Sequence, residues 1–237
     1  MAARILETVS EFFVGVDLGQ KQDFTALCVL ERAEVMLDVR DLVTWECKRE
    51  TRFELRYLER MKLRTPYPAV VERIREVAMD PALGARRSLV VDATGVGAPV
   101  VDLLCAAGVG CEIVPVMITG GGGGAKAGGA KAGGGSGAGD RATAEERRVP
   151  KRDLIVGLQL MFDEGQLRIA RGLPETEVLL KELMGMRVRI SASGHKSYGS
   201  GREAPHDDLV LAVALACWQA KQPKRWNWFG GRPDGRG

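Results

Sequence analysis

Three places in this sequence put carboxylates where an apolar run meets a turn. Asp17 closes Val14-Gly15-Val16-Asp17-Leu18-Gly19, and Asp92 closes Leu89-Val90-Val91-Asp92-Ala93-Thr94-Gly95. Asp207 and Asp208 open a third run in His206-Asp207-Asp208-Leu209-Val210. In an open sheet, ligands gather beyond the carboxyl ends of the strands, so Asp17 and Asp92 are expected to face one crevice. Leu209, Val210, Leu211 and Val213 make a mostly apolar helix that has to be buried, which draws Asp207 and Asp208 towards the sheet. Crowded aspartates repel unless protons or cations intervene, and hard oxygen donors select Mg²⁺ or Mn²⁺ over zinc. Such a group suits two ions about 3.5 to 4 Å apart, one lowering the pKa of an attacking water and the other stabilising the leaving oxygen of a phosphoryl displacement. Each position taken singly reads as a turn, cap or helix-start residue. Their joint occurrence is what points to catalysis.

Other residues carry weaker signals. The glycines of Asp92-Ala93-Thr94-Gly95-Val96-Gly97 expose backbone N–H groups ahead of a helix, as a phosphate cradle does, but the full dinucleotide fingerprint is missing. His195 and His206 are the only histidines. His206 beside the aspartates suits a phosphate contact, a contact to a metal-held water or a structural hydrogen bond, and His195-Lys196 in a Gly/Ser-rich stretch suits either a DNA grip or an exposed hairpin. Residues 48–64 hold seven basic side chains, Arg52, Arg56 and Arg60 among them, against three acidic ones. Residues 221–237 hold five against one, interleaved with Trp226, Trp228 and Phe229. Patches of this kind bind phosphates without reading sequence, although a charge run is ordinarily a solvated face and the tail reads equally as a disordered docking peptide.

The elements that must position these groups follow from the hydrophobic pattern. Strands are expected at 12–16, 24–30, 53–58, 88–91, 111–118, 166–170 and 186–190, with 35–45 a strand or long bend. Residues 53–58 alternate apolar and charged, although Arg52, Arg56, Arg60 and Arg64 would line one face of a helix. Helices are expected at 67–79, 98–107, 150–163, 175–184 and 207–220, two of them opening on proline. That order describes an α/β fold, a mixed central sheet with helices on its faces. Residues 1–11 read as an N-terminal extension, 12–220 as one domain and 221–237 as a basic, disordered tail. The segment 120–139, with twelve glycines in twenty residues, is too poor in burial to offset its ordering entropy and reads as a flexible loop.

Composition limits the alternatives. The chain has 237 residues, is 45% hydrophobic and carries a net charge of +3, which suits one domain with a real core and does not by itself demand a nucleic-acid partner. Five scattered cysteines without a C-x-x-C pair read as reduced thiols rather than a zinc or redox site. The apolar run 209–218 is ten residues, short of the roughly 20 needed to span a bilayer. No signal peptide is recognised, and a soluble cytoplasmic protein is expected.

Together, the Asp17 motif followed by Asp23-Phe24-Thr25-Ala26, the Asp92 motif through Gly97, and His206-Asp207-Asp208-Leu209-Val210 resemble the nuclease domain of phage large terminase subunits. The stretches 65–68, 151–160, 166–170 and 179–183 agree with that family in order and spacing. The resemblance spans 12–218 apart from the glycine-rich loop. It implies a ribonuclease-H-like fold with helices on both faces and a two-metal endonuclease, dependent on Mg²⁺ or Mn²⁺, that cuts double-stranded concatemeric DNA during genome packaging in the host cytoplasm. Asp17, Asp92 and Asp208 would be metal ligands, with Asp207 a fourth carboxylate or the alternative ligand. A packaging ATPase, a small terminase subunit and a portal protein are the implied partners. Large terminases carry an ATPase motor ahead of the nuclease, and this sequence has no G-x-x-x-x-G-K-[ST] loop. A separately encoded nuclease, a truncated piece and a domesticated relative all fit that departure. A Holliday-junction-resolvase-like enzyme, an actin-like kinase or ATPase and a catalytically silent DNA-binding or packaging module are the competing readings.

Overall fold

The computed structural model describes residues 3–19, 23–95, 97–120, 147–190, 196–199 and 206–223. Three long antiparallel strands begin it: β1 (Ile5–Asp17), β2 (Ala26–Arg40) and β3 (Cys47–Arg60). Helix α1 (Tyr67–Ala78) leads to β4 (Arg87–Asp92), which lies parallel to β1. Helix α2 (Gly97–Ala107), β5 (Glu112–Thr119), β6 (Arg147–Pro150), α3 (Lys151–Asp163), β7 (Leu167–Ile169) and α4 (Thr176–Gly185) follow. A separate hairpin, β8 (Arg187–Ile190) with β9 (Lys196–Gly199), precedes the last helix, α5 (Asp208–Ala220). The seven-stranded sheet runs β6-β5-β4-β1-β2-β3-β7. It is mixed, because β1, β2 and β3 pair antiparallel while every other neighbour pairs parallel.

Both faces of the sheet are covered. Val14, Val16, Leu89 and Val91 pack towards α1 and α2, with Val70, Ile74, Val100 and Leu104. Phe13, Val90, Leu55 and Leu58 pack on the opposite face, with residues of α3, α4 and α5. Side chains alternate along a strand, so this partition decides where the strand-end aspartates point. Asp17 shares the parity of Phe13 and Asp92 that of Val90, and both therefore face α5.

Helix α5 lies flat on β1 because nothing stands between them. A Cβ added at Gly15 would sit 2.1 Å from the Ala212 carbonyl oxygen, so only glycine admits this approach. Residues 208–217 are all buried, the pattern of a helix enclosed by its own protein. Burying Leu209, Val210 and Leu215 contributes about 1.5 to 3 kcal/mol each, which anchors the helix and with it the aspartates at its start. A second glycine, Gly97, starts α2 where a Cβ would meet the Asp92 carbonyl at 2.1 Å, and this keeps the turn after β4 tight.

Several boundaries differ from the sequence expectation, each for a physical reason. Residues 5–11, expected as an extension, form the first half of β1 and pair with β2 back to Leu37. Strand β2 runs on through Val35 and Leu37, which stay buried, and stops where Asp41 Oδ1 accepts the Val43 and Thr44 amides at 2.9 and 2.8 Å. The ambiguous segment 53–58 is strand. Its register with β2 slips at Arg56, a bulge, so Arg52 and Arg60 point to opposite faces of the sheet rather than lining one. Strand β6 was not expected. Of the glycine-rich loop only Gly120 is described, and of the tail only 221–223. No cysteine is bridged, and among the described residues no helix is long and apolar enough to cross a membrane.

Candidate metal centre

Strand register puts two of the aspartates side by side. Val16 is opposite Val91 in the parallel β1–β4 pair, so Asp17 and Asp92 leave the sheet together at its carboxyl edge. Asp208 is the first residue of α5 and Asp207 its N-cap. Burial pushes the Asp17 carboxyl well above the usual range, and repulsion from Asp92, Asp208 and Asp207 adds to it. All four predicted acids thus converge on one field. Lys151, the first residue of α3, opposes that repulsion at Asp17. Its Nζ donates to Asp207 Oδ2 at 2.6 Å, so Asp207 already has a cationic partner.

Asp208 is held differently. It is 4% exposed, its carboxylate accepts the Phe24 amide, and its Oδ2 is buried with no hydrogen-bond partner among the described residues. Burial raises its pKa to about 6 against the pull of His206 and the Phe24 amide. An orphaned carboxylate oxygen at this depth costs more than a kilocalorie per mole (about 1 to 3) unless a proton or cation reaches it. Asp92 is partly exposed, and its Oδ1 accepts the Thr94 amide at 2.8 Å, an Asx turn that fixes the carboxylate at the strand end. The donor set is chiefly carboxylate oxygen, the chemistry that hard divalent ions require.

A buried network orders the start of α5. Glu182 of α4 has a fully buried side chain; it accepts the Leu209 and Val210 amides at 3.0 and 3.2 Å and so caps α5 from another helix. Arg60 Nη2 donates to Glu182 at 2.7 Å, and its guanidinium lies 4.7 Å from the centroid of the Phe24 ring. Phe24 meets the His206 ring edge-on, centroids 5.1 Å apart. Burial pushes the Glu182 carboxyl up to about 7, with the two amides and Arg60 pulling the other way. His206 Nδ1 lies 3.6 Å from Asp23 Oδ1 and 4.0 Å from Asp208 Oδ2.

No protein-family model matches the chain, and no curated protein does so. Solved structures do. The large terminase nuclease of thermophilic phage G20c, in a structure with bound magnesium, is 24% identical with a TM-score of 0.53, covering 89% of this chain and 82% of that one. The same nuclease with bound cobalt gives 24% identity and a TM-score of 0.55 over 89% and 81%. The large terminase nuclease domain of Thermus phage P74-26 gives 22% and 0.52 over 87% and 78%. This chain has the large terminase nuclease fold. The mixed sheet is the α/β architecture expected from the order of its elements, and its likeness to these structures agrees with the fold that the family resemblance implied.

Within that fold the positively charged candidates separate from the acids. Arg52 pairs with Glu50 at 3.3 Å, and Arg56 with Glu31 and Glu54 at 2.7 and 3.1 Å. Arg60, expected among the DNA contacts, turns inward to Glu182 because the bulge at Arg56 reverses its face. His206 stays half-exposed beside the acids. His195 lies outside the described residues, and Lys196 belongs to β9. Sequence reasoning missed Lys151, Glu182 and the placement of Asp23. Two of these left a trace in the sequence: Lys151 is a cation at a helix N-terminus, where the dipole disfavours it, and Glu182 interrupts the apolar stripe of Leu179 and Leu183.

Proposed function

We propose that this chain is a divalent-metal-dependent DNA endonuclease of the terminase type, acting by two-metal hydrolysis of the phosphodiester backbone. The observation that carries the reading is that Asp92, Asp207 and Asp208 lie close enough to Asp17 to raise its carboxyl by repulsion, while Asp208 Oδ2 is buried and without a hydrogen-bond partner among the described residues. Metal-bound structures of terminase nucleases with the same fold give it further support. Asp17, Asp92 and Asp208 are the residues that would hold Mg²⁺ or Mn²⁺. Of the adjacent pair Asp208 is the ligand, because Lys151 already engages Asp207. Bound ions supply an activated water and charge stabilisation at the leaving oxygen.

The protein's own groups set up that step. The β1–β4 register fixes the spacing of Asp17 and Asp92, and Gly15 lets α5 bring Asp208 down to them. Glu182 and Arg60 hold the first turn of α5. Lys151, bonded to Asp207, is the cation that offsets the repulsion at Asp17. Double-stranded DNA is the substrate; a packaging ATPase on another chain or segment, a small terminase subunit and a portal protein are its partners.

Plasmid cleavage in Mg²⁺ or Mn²⁺ tests the reading. The wild type is expected to cut and Asp92→Ala to be inactive while still binding DNA. Equal cutting by both proteins would discard the catalytic assignment, and binding without cutting by either would leave the silent packaging module. Preference for four-way junctions over linear duplex would move the assignment to a resolvase.

A further inference from the structure

We propose that the tip of the β2–β3 hairpin is a self-association surface, on which a second copy of this chain docks by exchanging Trp45 across a two-fold axis. Strand β4 pairs with β1 only over residues 12–16, and β7 with β3 only over 53–55. Beyond those points β1, β2 and β3 run on as a three-stranded ribbon. At its end Leu42, Val43 and Trp45 are 90%, 87% and 69% exposed. Val39 and, at the adjoining end of β1, Ile5 and Leu6 are each more than two-fifths exposed. Together they offer an apolar area on the order of the 800 Å² per partner that a standard interface covers. Apolar side chains grouped and left open in this way mark an interaction site rather than ordinary surface.

The tip holds both halves of the contact. A hollow of about 850 Å³ lies in it, lined by Met36, Val39, Leu42 and Val43 together with charged side chains. Thr44 and Glu46 line the hollow, but Trp45 between them does not. Trp45 has a φ of 60°, a conformation that bulky residues rarely adopt. Its amide donates to the Asp41 carbonyl at 3.0 Å, and the Asp41 amide donates to the Glu46 carbonyl at 2.9 Å. The ring is thus displayed on a turn that is already ordered, which lowers the cost of binding. A two-fold contact seats each Trp45 in the other copy's hollow, where the flexible Met36 adapts to it. The charges agree with that pairing. Glu46 and Arg49, both at the hollow, have no ion pair among the described residues and would meet across the axis as opposite charges. A phosphate surface, in DNA or lipid, fits less well, because residues 38–46 set Asp38, Asp41 and Glu46 against Arg40 alone. Strand β1 is 13 residues long, so the tip stands roughly 40 Å from Asp17 at about 3.4 Å per residue. The contact therefore leaves both acidic centres open, and it does not rest on the nuclease reading.

Sedimentation equilibrium of the full chain at micromolar concentrations tests the contact, with duplex DNA binding and thermal melts measured alongside. The wild type is expected to approach twice the chain mass as its concentration rises. Trp45→Gly is expected to weaken association by roughly tenfold or more, the scale of a tryptophan at the centre of an interface. It is expected to melt about as high as the wild type, since glycine suits the left-handed backbone at that position. Glu46→Arg and Arg49→Glu are each expected to weaken association several-fold, and the two together to restore it. A wild type that stays monomeric at every concentration overturns the proposal. So does a dimer whose affinity ignores Trp45→Gly, or a double charge swap that recovers nothing of the single losses. Loss of DNA binding in Trp45→Gly at unchanged mass gives the tip to DNA and overturns it as well.

Discussion

Two charged regions of this molecule are built on opposite terms. Along β3 and the facing side of α1, Arg73 meets Glu59 and Glu76 at 3.0 and 2.8 Å, Arg56 meets Glu31, and Lys48 and Arg52 share Glu50. The hydrogen bonds from Lys48 and Arg52 hold the Glu50 carboxyl below its ordinary range. At the carboxyl end of β1 and β4 the acids among the described residues instead outnumber their cations, and burial pushes Asp17 and Asp208 up. The first region is at rest as it stands. The second carries an electrostatic load that Lys151 and His206 offset only in part and that a proton or a metal ion would relieve. Fold stability alone does not call for that load, which is the physical reason to place function there.

The sharpest way to break the contrast is to remove the load. Asp208→Asn is expected to lower cleavage by at least about 10²-fold, the scale at which one preorganised electrostatic group acts. The metal-free variant is expected to melt no lower than the wild type, because an amide replaces a buried carboxylate whose Oδ2 has no partner among the described residues. Thermal melts with and without Mn²⁺ check it. The wild type gains about 2.7 kcal/mol at a metal concentration 100 times its Kd, and the variant is expected to lose most of that gain. A variant that unfolds, or that still cuts, would make Asp208 an ordinary helix-start residue.

The acids stood out in the sequence because each lies where an apolar run meets a turn, and the structure sets Asp17 beside Asp92 in register and within repulsion of Asp207 and Asp208. The fold class was legible from the order of the apolar runs. Strand β6 was not, since Arg147-Arg148-Val149-Pro150 offers one buried apolar side chain and a proline, which an edge position tolerates. The inward turn of Arg60 was hidden too, because a one-residue bulge at Arg56 reverses every side chain after it. Glu182 and Lys151 have partners distant in sequence: Glu182 reaches Leu209 and Arg60, and Lys151 reaches Asp207. No local pattern encodes those pairings.

A change of pH sharpens the contrast with a smaller effect. Asp208 has a folded pKa of about 6 against an ordinary value of 3.8, so its contribution to stability is present below about 3.8 and lost as pH rises through about 6. Burial shifts Asp17 in the same direction. In EDTA the protein is therefore expected to be more stable at pH 5 than at pH 7.5, by on the order of 1 kcal/mol from Asp208 alone. Saturating Mn²⁺ is expected to reverse the order, because the ion competes with the protons that low pH supplies. Melts at the two pH values, with and without metal, check both signs. Stability that rises with pH in EDTA would mean that the acids are already neutralised within the fold.

The smallest effect belongs to the paired region. Arg56 is half-exposed and bound to Glu31 and Glu54, so Arg56→Ala is expected to change stability by less than about 1 kcal/mol. Binding of linear duplex DNA at moderate salt is expected to weaken by no more than about twofold, since an arginine already held by two carboxylates has little charge left to offer a phosphate. The salt dependence of binding is the discriminating measurement. A residue that contacts one phosphate steepens the log–log slope by about 0.9, and losing it flattens the slope by the same amount. An unchanged slope in Arg56→Ala keeps the β3 surface solvated and self-neutralised. A flattened slope with a several-fold loss of affinity would mean that DNA displaces the glutamates, and that surface would then join the acidic centre as part of one binding face.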